Sequence, residues 1–209
     1  MICHASDPSL RLCLDFEGSL VPDAIDLSGG NHDALATAIQ PMPRAGQQAA
    51  ALTTQSSILV PETPDLDITA ALSIEMWISP AQKPSSTAYP LTNAGQYQVS
   101  YDKNGRIGCA IGESNIVSPS VLQLGAFVHI ACTFDGALLK VYLDGGVAAC
   151  LQVDGPIPTR NMFGTEIGAN KLVGGLDDIH VYARALTDAD ICTLAGHASC
   201  NTICPSGGG

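Results

Sequence analysis

The sequence contains few charged and few aromatic side chains, and both shortages restrict the functions open to it. Charged residues make up 14% of the 209 residues and aromatic residues 5%, with nine Lys and Arg against 20 Asp and Glu. The formal net charge is therefore −11 at pH 7. Contacts with nucleic-acid phosphates or anionic lipids need clustered basic side chains, and the nine present here are scattered. We therefore expect no nucleic-acid partner.

Long apolar runs are also missing. No run approaches the roughly 20 residues that a membrane-spanning helix needs, so we expect no membrane insertion. The first nine residues, MICHASDPS, contain neither the basic nor the apolar segment of a signal peptide, so we expect either a mature or excised domain or a chain that is not exported. Hydrophobic residues nevertheless make up 46% of the chain, which is enough for a globular core.

Cysteine is plentiful by comparison. An even set of eight predicts disulfides formed in an oxidising compartment, and hence a secreted or cell-surface protein. We expect a bridge between Cys109 and Cys132, because both lie in the middle of predicted strands that should be neighbours. The cysteines of the C-terminal tail are expected to tie it back towards the N-terminus. The eight disulfide candidates are Cys3, Cys13, Cys109, Cys132, Cys150, Cys192, Cys200 and Cys204.

A metal cluster in the tail is the alternative to disulfides there. Cys192, His197, Cys200 and Cys204 lie close together in the sequence and could supply four ligands to zinc. Structural zinc sites usually combine a short Cys-x-x-Cys pair with a second pair downstream, and this spacing is absent. Disulfides are the simpler interpretation.

Strand patterns dominate the chain. LSIEMWIS, at 72–79, alternates apolar and other residues as a half-buried strand does. Asp135-Gly136 and Asp144-Gly145 predict tight hairpin turns, because these residue types tolerate a positive φ. Further strands are predicted at 10–17, 97–102, 106–112, 115–118, 127–134, 137–143, 147–153, 162–168 and 176–184.

One short helix is predicted near the C-terminus, at 188–195. Thr187 is placed to cap it, Asp190 completes a capping box, and Gly196 ends it. Closely spaced strands with turn residues between them predict an all-β, antiparallel sandwich of two sheets. We expect one domain at 8–197, followed by a Cys-containing tail and Gly-rich linker at 198–209.

Four segments in order resemble a known family. They are LDFEGSLVPDAIDLSGGNHDA, LSIEMWISP, GAFVHIACTFDGALLKVYLDG and EIGANKLVGGLDDIHVYARALTDADI, which together span roughly residues 10 to 195. They are similar to the opening loop, the Trp-bearing strand, the central meander and the closing strand of laminin-G-like domains. Those domains belong to the concanavalin-A-like lectin and glucanase group, and the resemblance implies a jelly-roll sandwich.

The resemblance also implies a calcium site between the first loop and the last strand. The matching residues are Asp26 in the loop and Asp177 in the strand, with Asp178 in reserve and backbone carbonyls near Asn31 and His32 as further ligands. Calcium takes six to eight oxygen ligands, and a Gly-rich loop lets carbonyls converge on it. Strand alternation predicts that Asp177 and Asp178 point to opposite faces.

The sequence lacks the catalytic pattern of the superfamily's glycosidases. Retaining enzymes need two carboxyl groups about 5–5.5 Å apart, and the related glucanases place them on one strand as E-x-D-x-x-E. Glu75 lies on the matching strand without a second Glu nearby. His129, between Val128 and Ile130, is expected to be packed and hydrogen-bonded, so we predict a non-catalytic domain.

Carbohydrate recognition would require exposed aromatic rings beside planar polar groups. Trp77 and Tyr182 are interpreted as packing residues, which leaves the polar segment 89–101. The candidate ligand-contacting residues there are Tyr89, Asn93, Gln96, Tyr97 and Tyr101, with Gln98 among them. A solvated loop and edge strand is the alternative.

We therefore predict an extracellular, calcium-binding jelly-roll module for adhesion or carbohydrate recognition. Its partner would be a glycan or an extracellular protein. A structural spacer or self-associating subunit fits the low aromatic content as well, and a laminarinase-like hydrolase fits least. A fold by itself does not select among these functions.

Overall fold

The computed structural model describes residues 3, 7–18, 20, 23–159 and 164–205. The Gly-rich end at 206–209 and the first residues of the strand predicted at 162–168 lie outside this range. Within it the chain forms sixteen strands, one α-helix (α1, Asp188–Leu194) and a short 3-10 turn. The strands are β1 (Leu10–Leu14), β2 (Asp23–Ala24), β3 (Ala34–Thr37), β4 (Gln40–Arg44), β5 (Gln47–Leu52), β6 (Ser57–Val60), β7 (Leu72–Pro80), β8 (Ala88–Asn93), β9 (Tyr97–Tyr101), β10 (Arg106–Ile111), β11 (Ser114–Val121), β12 (Val128–Phe134), β13 (Leu138–Leu143), β14 (Gly146–Gln152), β15 (Thr165–Ala169) and β16 (Gly174–Tyr182).

The strands form two antiparallel sheets of eight strands each. Sheet A has the order β14-β13-β12-β7-β16-β5-β4, with β1 also paired to β16, and sheet B has the order β11-β10-β9-β8-β15-β6-β3-β2. The prediction of a two-sheet jelly-roll sandwich is confirmed. Each sheet has an inner face, which faces the other sheet, and an outer face on the opposite side.

The core lies between the inner faces, and strand alternation selects its members. In β7, Leu72, Ile74, Met76 and Ile78 enter the core, as the sequence pattern predicts, while the residues between them lie on the outer face of sheet A. Cys109 of β10 and Cys132 of β12 form the predicted disulfide, with a Cα–Cα distance of 5.9 Å. This bridge joins sheet B to sheet A through the core.

The outer face of sheet A is covered by the two ends of the chain. A second apolar cluster packs residues of α1, such as Ile191, against Tyr142 and Tyr182 of the sheet. Three disulfides hold the covering segments, namely Cys3–Cys13, Cys150–Cys204 and Cys192–Cys200. The prediction that the tail is tied towards the N-terminus is wrong, because Cys204 is bonded to β14 and Cys200 to α1. The three cysteines among the four tail candidates for zinc are therefore bonded in disulfides, and none of them offers a thiolate.

The hairpins between residues 23 and 60 are missing from the sequence-based prediction, and so is β8. Their strands are rich in Ala, Gln and Pro, which give a weak strand signal. Pro41 and Pro43 lie in β4, an edge strand of sheet A, where a missing N–H is tolerated. Ala45 and Gly46 form the two-residue turn to β5, and both have a positive φ.

Helix α1 begins and ends close to the predicted residues. Thr187 and Asp190 form the capping box, and Gly196 follows with φ of 82°. In the part of the chain that the structure describes, no helix is long and apolar enough to span a bilayer.

Candidate functional site

The adjacent carboxylates Asp177 and Asp178 lie at a bulge in β16. The register between β16 and β7 shifts between Asp177 and His180, and Asp178 has φ of 46°. A bulge inserts one residue and interrupts the alternation of side chains. The prediction that the two carboxylates point to opposite faces is therefore wrong, because both contact the same side chain.

That side chain is Arg44, at the end of β4. Its Nε donates to Asp177 and its Nη2 to Asp178, and all three side chains are buried. The guanidinium also lies 4.8 Å from the centroid of the Trp77 ring, a distance at which a cation is attracted to an aromatic face. Arg44 thus supplies one positive charge to the two carboxylates at the bulge.

One guanidinium does not balance two carboxylates, and the imbalance affects Asp177. Burial raises the pKa of Asp177 to about 6, although the hydrogen bond from Arg44 acts in the opposite direction and the charge of Asp178 adds to the rise. Asp177 therefore holds a proton more readily than an exposed aspartate does, chiefly because it is buried and in addition because Asp178 is close to it.

A second polar group on the outer face of sheet A centres on Glu75. His129 Nε2 donates to one oxygen of Glu75 at 2.8 Å, and His180 Nδ1 donates to the other. Burial by itself would raise the pKa of Glu75, but the two histidines lower it to about 2, while Glu75 raises the pKa of His180. All three side chains are at most 2% exposed, so no substrate reaches them. His129 is packed and hydrogen-bonded, as predicted.

Among the described residues, one group of three His, Cys, Asp or Glu side chains has all its possible metal-ligand atoms close together, namely Cys3, Cys13 and His180. Their ligand atoms lie within 4.8 Å of one another. The two sulfur atoms are bonded to each other, so neither is a thiolate that could bind a metal.

The loop predicted to hold calcium is closed by hydrogen bonds. Asp26 Oδ1 accepts from the backbone N–H of Cys13 and of Ser28, both at 2.9 Å. Its Oδ2 accepts from Ser28 Oγ at 2.7 Å and from the N–H of His32 at 3.0 Å. A carboxylate has about four acceptor positions, and these four donors occupy them. Asp26 in this arrangement does not fit a calcium ligand.

The other two loop residues have separate positions. Asn31 is exposed and has φ of 57°, whereas His32 is buried and its Nδ1 lies 2.8 Å from the carbonyl oxygen of Arg11. Asp26 is anchored to Cys13, whose register partner on β16 is His180. The calcium ligands implied by the resemblance thus belong to two groups, each with its own hydrogen-bond donors, and calcium stays a prediction.

The predicted ligand-contacting surface at 89–101 is largely buried. Asn93, Gln96, Tyr97 and Tyr101 are each at most 4% exposed. Tyr97 donates from its hydroxyl to the carbonyl of Leu66, and burial raises its pKa. The prediction of exposure is wrong for these four residues, because their places in the strands turn them towards the core or into turns packed on it. Tyr89 is partly exposed.

Tyr89 lies at an open groove on the outer face of sheet B, with a volume of about 250 Å³. This groove crosses β8, β9, β10 and β11. It is lined by Thr87, Tyr89, Gln98, Ser100, Asp102, Ala110, Gly112, Glu113, Asn115 and Val117. One aromatic ring therefore stands beside several planar or hydroxyl-bearing polar groups.

Small residues on β10 form the floor of the groove. Ala110 pairs with Gln98 of β9 and with Asn115 of β11, and Gly108 pairs with Ser100 and Val117. The larger side chains on the neighbouring strands make the walls. At Gly108 a Cβ atom would lie 2.6 Å from Ser100 Oγ, so a larger residue there would disturb the groove. The sequence signal for this groove was the pattern R-x-G-x-A-x-G at 106–112, which places small residues at alternate positions. Its meaning becomes clear only when the strands that pair with β10 are known.

The charge of the groove is acidic. Its described lining includes Asp102 and Glu113 and no lysine or arginine. Asp102 accepts from Arg106 Nη2 at 2.7 Å. Partial burial would raise the pKa of Asp102, but the hydrogen bonds from Arg106 lower it, so the group remains ionised.

Comparison with known families decides the relationship suggested by the sequence motifs. A laminin-G model, described as concanavalin A-like lectin/glucanases superfamily, matches residues 52–192, which is more than half of the chain. The chain belongs to this family. A search of curated proteins finds no sequence match.

Several solved structures share the fold of this chain. The binding domain of Paraclostridial Mosquitocidal Protein 1 is 18% identical with a TM-score of 0.73, over 90% of this chain and 52% of that one. Domain 4 of AbnA, an extracellular arabinanase of the GH43 class from Geobacillus stearothermophilus solved with arabinotriose, is 19% identical with a TM-score of 0.74, over 90% and 98%.

A mutant Trypanosoma rangeli sialidase is 16% identical with a TM-score of 0.68, over 90% of this chain and 32% of that one. This chain thus spans about half of the mosquitocidal binding domain and a third of the sialidase. At these identities the comparison establishes a common fold, and the function of each protein depends on its own sites.

Proposed function

We propose that this laminin-G-like chain is a non-catalytic extracellular module that recognises carbohydrate, and that the groove on the outer face of sheet B holds the sugar. The supporting observation is the groove itself, whose lining includes the aromatic ring of Tyr89 and the amide side chains of Gln98 and Asn115. A pyranose ring has an apolar face that packs on an aromatic ring and a rim of hydroxyls that bond to amide and hydroxyl groups.

The known structures support a binding module of this kind. Domain 4 of AbnA, which matches over nearly its whole length, was solved with arabinotriose, and a botulinum neurotoxin structure concerns interaction with two ganglioside molecules. The arrangement of carboxyl groups agrees with a non-catalytic role. Glu75, on the strand where related glucanases carry their catalytic pair, is buried between two histidines.

The acidic lining favours a neutral glycan over an anionic one. Glu113 would repel the carboxylate of a sialic acid, whereas the charge of Asp102 is paired with Arg106, which does not itself line the groove. The four disulfides support placement in an oxidising compartment, where a neutral surface or matrix glycan would be available.

Binding to an array of neutral and sialylated glycans, followed by calorimetry with the best neutral oligosaccharide, tests this proposal. Tyr89→Ala should weaken binding at least tenfold, or about 1.4 kcal/mol, because it removes the ring on which the sugar packs. Tyr89→Phe keeps the ring and should retain most of the affinity.

Leu35→Ala is a suitable control, because Leu35 is 54% exposed on β3, near the far edge of sheet B. It should leave binding unchanged. Wild-type protein that binds no neutral glycan, or a Tyr89→Ala variant that binds as tightly as wild type, would contradict the proposal.

Self-association or protein adhesion is a second candidate, on a separate observation. Three apolar side chains are each more than 40% exposed, namely Ile25, Leu27 and Leu35. They lie on or beside β2 and β3, which form one edge of sheet B. Exposed apolar side chains at a sheet edge can mark a protein contact. Light scattering during size-exclusion chromatography that gives the monomer mass at all concentrations would count against self-association.

A further inference from the structure

We infer that the guanidinium of Arg44 performs in this chain the charge-neutralising role that the resemblance assigns to calcium, and that it fills a latent cation site at the β16 bulge. The inference concerns Asp177, Asp178 and Gln47, on sheet A. It is independent of the glycan groove on sheet B.

The bulge lies where β16 changes its pairing partner, and the two carboxylates that it brings together need a nearby positive charge. Residues 174–176 of β16 pair with β5, whereas residues from Ile179 onwards pair with β1. The bulge lies where β16 passes from one partner to the other. The extra residue turns both carboxylates to the same side, where two buried negative charges would repel each other without a cation.

Arg44 is held in position for this task by its hairpin. It pairs with Gln47 across the two-residue turn Ala45–Gly46, and Gln47 Oε1 lies 3.4 Å from Arg44 Nη2. The guanidinium therefore has three oxygen-bearing neighbours, two carboxylates and one amide, and the Trp77 ring packs against it. It is only 9% exposed.

The neighbours of the guanidinium have the chemistry of a divalent-cation site. Calcium prefers carboxylate and amide oxygens and completes its shell with water. With Arg44 present, the three charged side chains sum to −1, and a divalent ion in place of the guanidinium would bring the sum to zero. Removal of the Arg44 side chain should therefore create a calcium site bounded by Asp177, Asp178 and Gln47.

Thermal unfolding with and without calcium tests the inference. Each protein is first stripped with chelator and then melted in chelator, in calcium and in magnesium, each ion at about 10 mM, above the dissociation constants typical of extracellular calcium modules. We expect the wild-type melting temperature to be the same in all three. Arg44→Ala should melt lower in chelator and recover by roughly 5 °C or more in calcium, by mass action on the folded state.

The controls separate charge from packing. Arg44→Ala with Asp177→Asn should lose the calcium recovery, because a charged ligand is gone. Arg44→Lys keeps a cation and should show no calcium effect. Magnesium should restore Arg44→Ala less than calcium does, because it demands a stricter octahedral shell.

Two results would overturn the inference. A wild-type melting temperature that rises with calcium would mean that the protein binds calcium while Arg44 is present, so that Arg44 does not take the place of the ion. An Arg44→Ala variant that melts at the same temperature with and without calcium would mean that the bulge holds no latent site. If Arg44→Ala does not fold in chelator, its refolding yield with and without calcium replaces the melt, and equal yields would overturn the inference in the same way.

Discussion

The outer faces of the two sheets differ in a way that reverses the first impression given by the sequence. The outer face of sheet A carries the residues that look chemically active, namely Glu75, His129, His180, Asp177 and Asp178, and all of them are at most 2% exposed. The outer face of sheet B carries Tyr89, Gln98 and Asn115, which are unremarkable in sequence, around an open groove. The ionisable side chains on the outer face of sheet A support the fold, whereas the groove on sheet B presents neutral polar side chains to solvent together with Asp102 and Glu113.

The physical reason for this division is the covering of sheet A. The N-terminal segment, α1 and the tail are fastened over its outer face by three disulfides. Charges beneath such a cover must be paired, because an unpaired buried charge is strongly destabilising. Within the described part of the chain, sheet B has no such cover across β9 to β11, where its outward side chains line the open groove.

The largest expected effect comes from Glu75. Glu75→Ala removes the acceptor of both histidines, and we expect a loss of about 3 kcal/mol in the free energy of unfolding, because two buried donors lose their partner. Urea denaturation measures it. Glu166→Gln, at an exposed position on sheet B, is the matched control and should show no resolvable change. A Glu75→Ala variant as stable as wild type would show that the buried ionisable side chains on the outer face of sheet A do not support the fold.

The same group should make stability depend on pH. The lowered pKa of Glu75 stabilises the fold above its ordinary value of 4.5, and this contribution is lost as the pH falls towards 2. The raised pKa of His180 stabilises below 6.5, and this contribution is lost as the pH rises through the folded-state value. The difference in unfolding free energy between wild type and Glu75→Gln should therefore be largest between pH 4.5 and 6.5.

Urea denaturation of both proteins across the pH range measures that difference, and it isolates the cluster because Asp177 is present in both. A difference that stays constant from pH 3 to pH 8 would mean that Glu75 and His180 are not coupled. A difference that only grows with rising pH would mean that the histidine makes no contribution.

A substitution at the floor of the groove should have the smallest effect on stability. It should nevertheless weaken glycan binding strongly. In Ala110→Leu the longer side chain would lie between Gln98 and Asn115 and fill the groove. We expect glycan binding to fall at least tenfold while the melting temperature changes little, because the new side chain extends towards solvent. Ala189→Leu, exposed on α1, is the control and should bind as wild type does. Unchanged binding by Ala110→Leu would place the sugar elsewhere.

The sequence predicted elements whose residues alternate strongly or carry distinctive turns and caps. The β7 pattern, the hairpin at Asp144–Gly145 and the capping box of α1 were all confirmed. The Ala-, Gln- and Pro-rich strands between 23 and 60 were missed, because their side chains give little propensity and their pairing is decided by distant partners. The disulfide between Cys109 and Cys132 was predicted, whereas the tail bridges were not.

The site was harder to predict because exposure depends on what covers a residue. Tyr97 and Tyr101 were expected at the surface, yet alternation from Val99 turns both away from it, and Tyr89 on the neighbouring strand remains accessible. The groove depends on three strands bringing Gln98, Ala110 and Asn115 into one row.

By itself the sequence determined the class of fold, the family and the disulfide-rich character of the protein, because these follow from local periodicity, motif order and composition. Only the tertiary structure decided which face is closed and which is open, and that Arg44 lies between Asp177 and Asp178. The reason is that burial and charge pairing depend on residues far apart in the chain. Arg44 and Asp177 are separated by 133 positions, and no local pattern joins them.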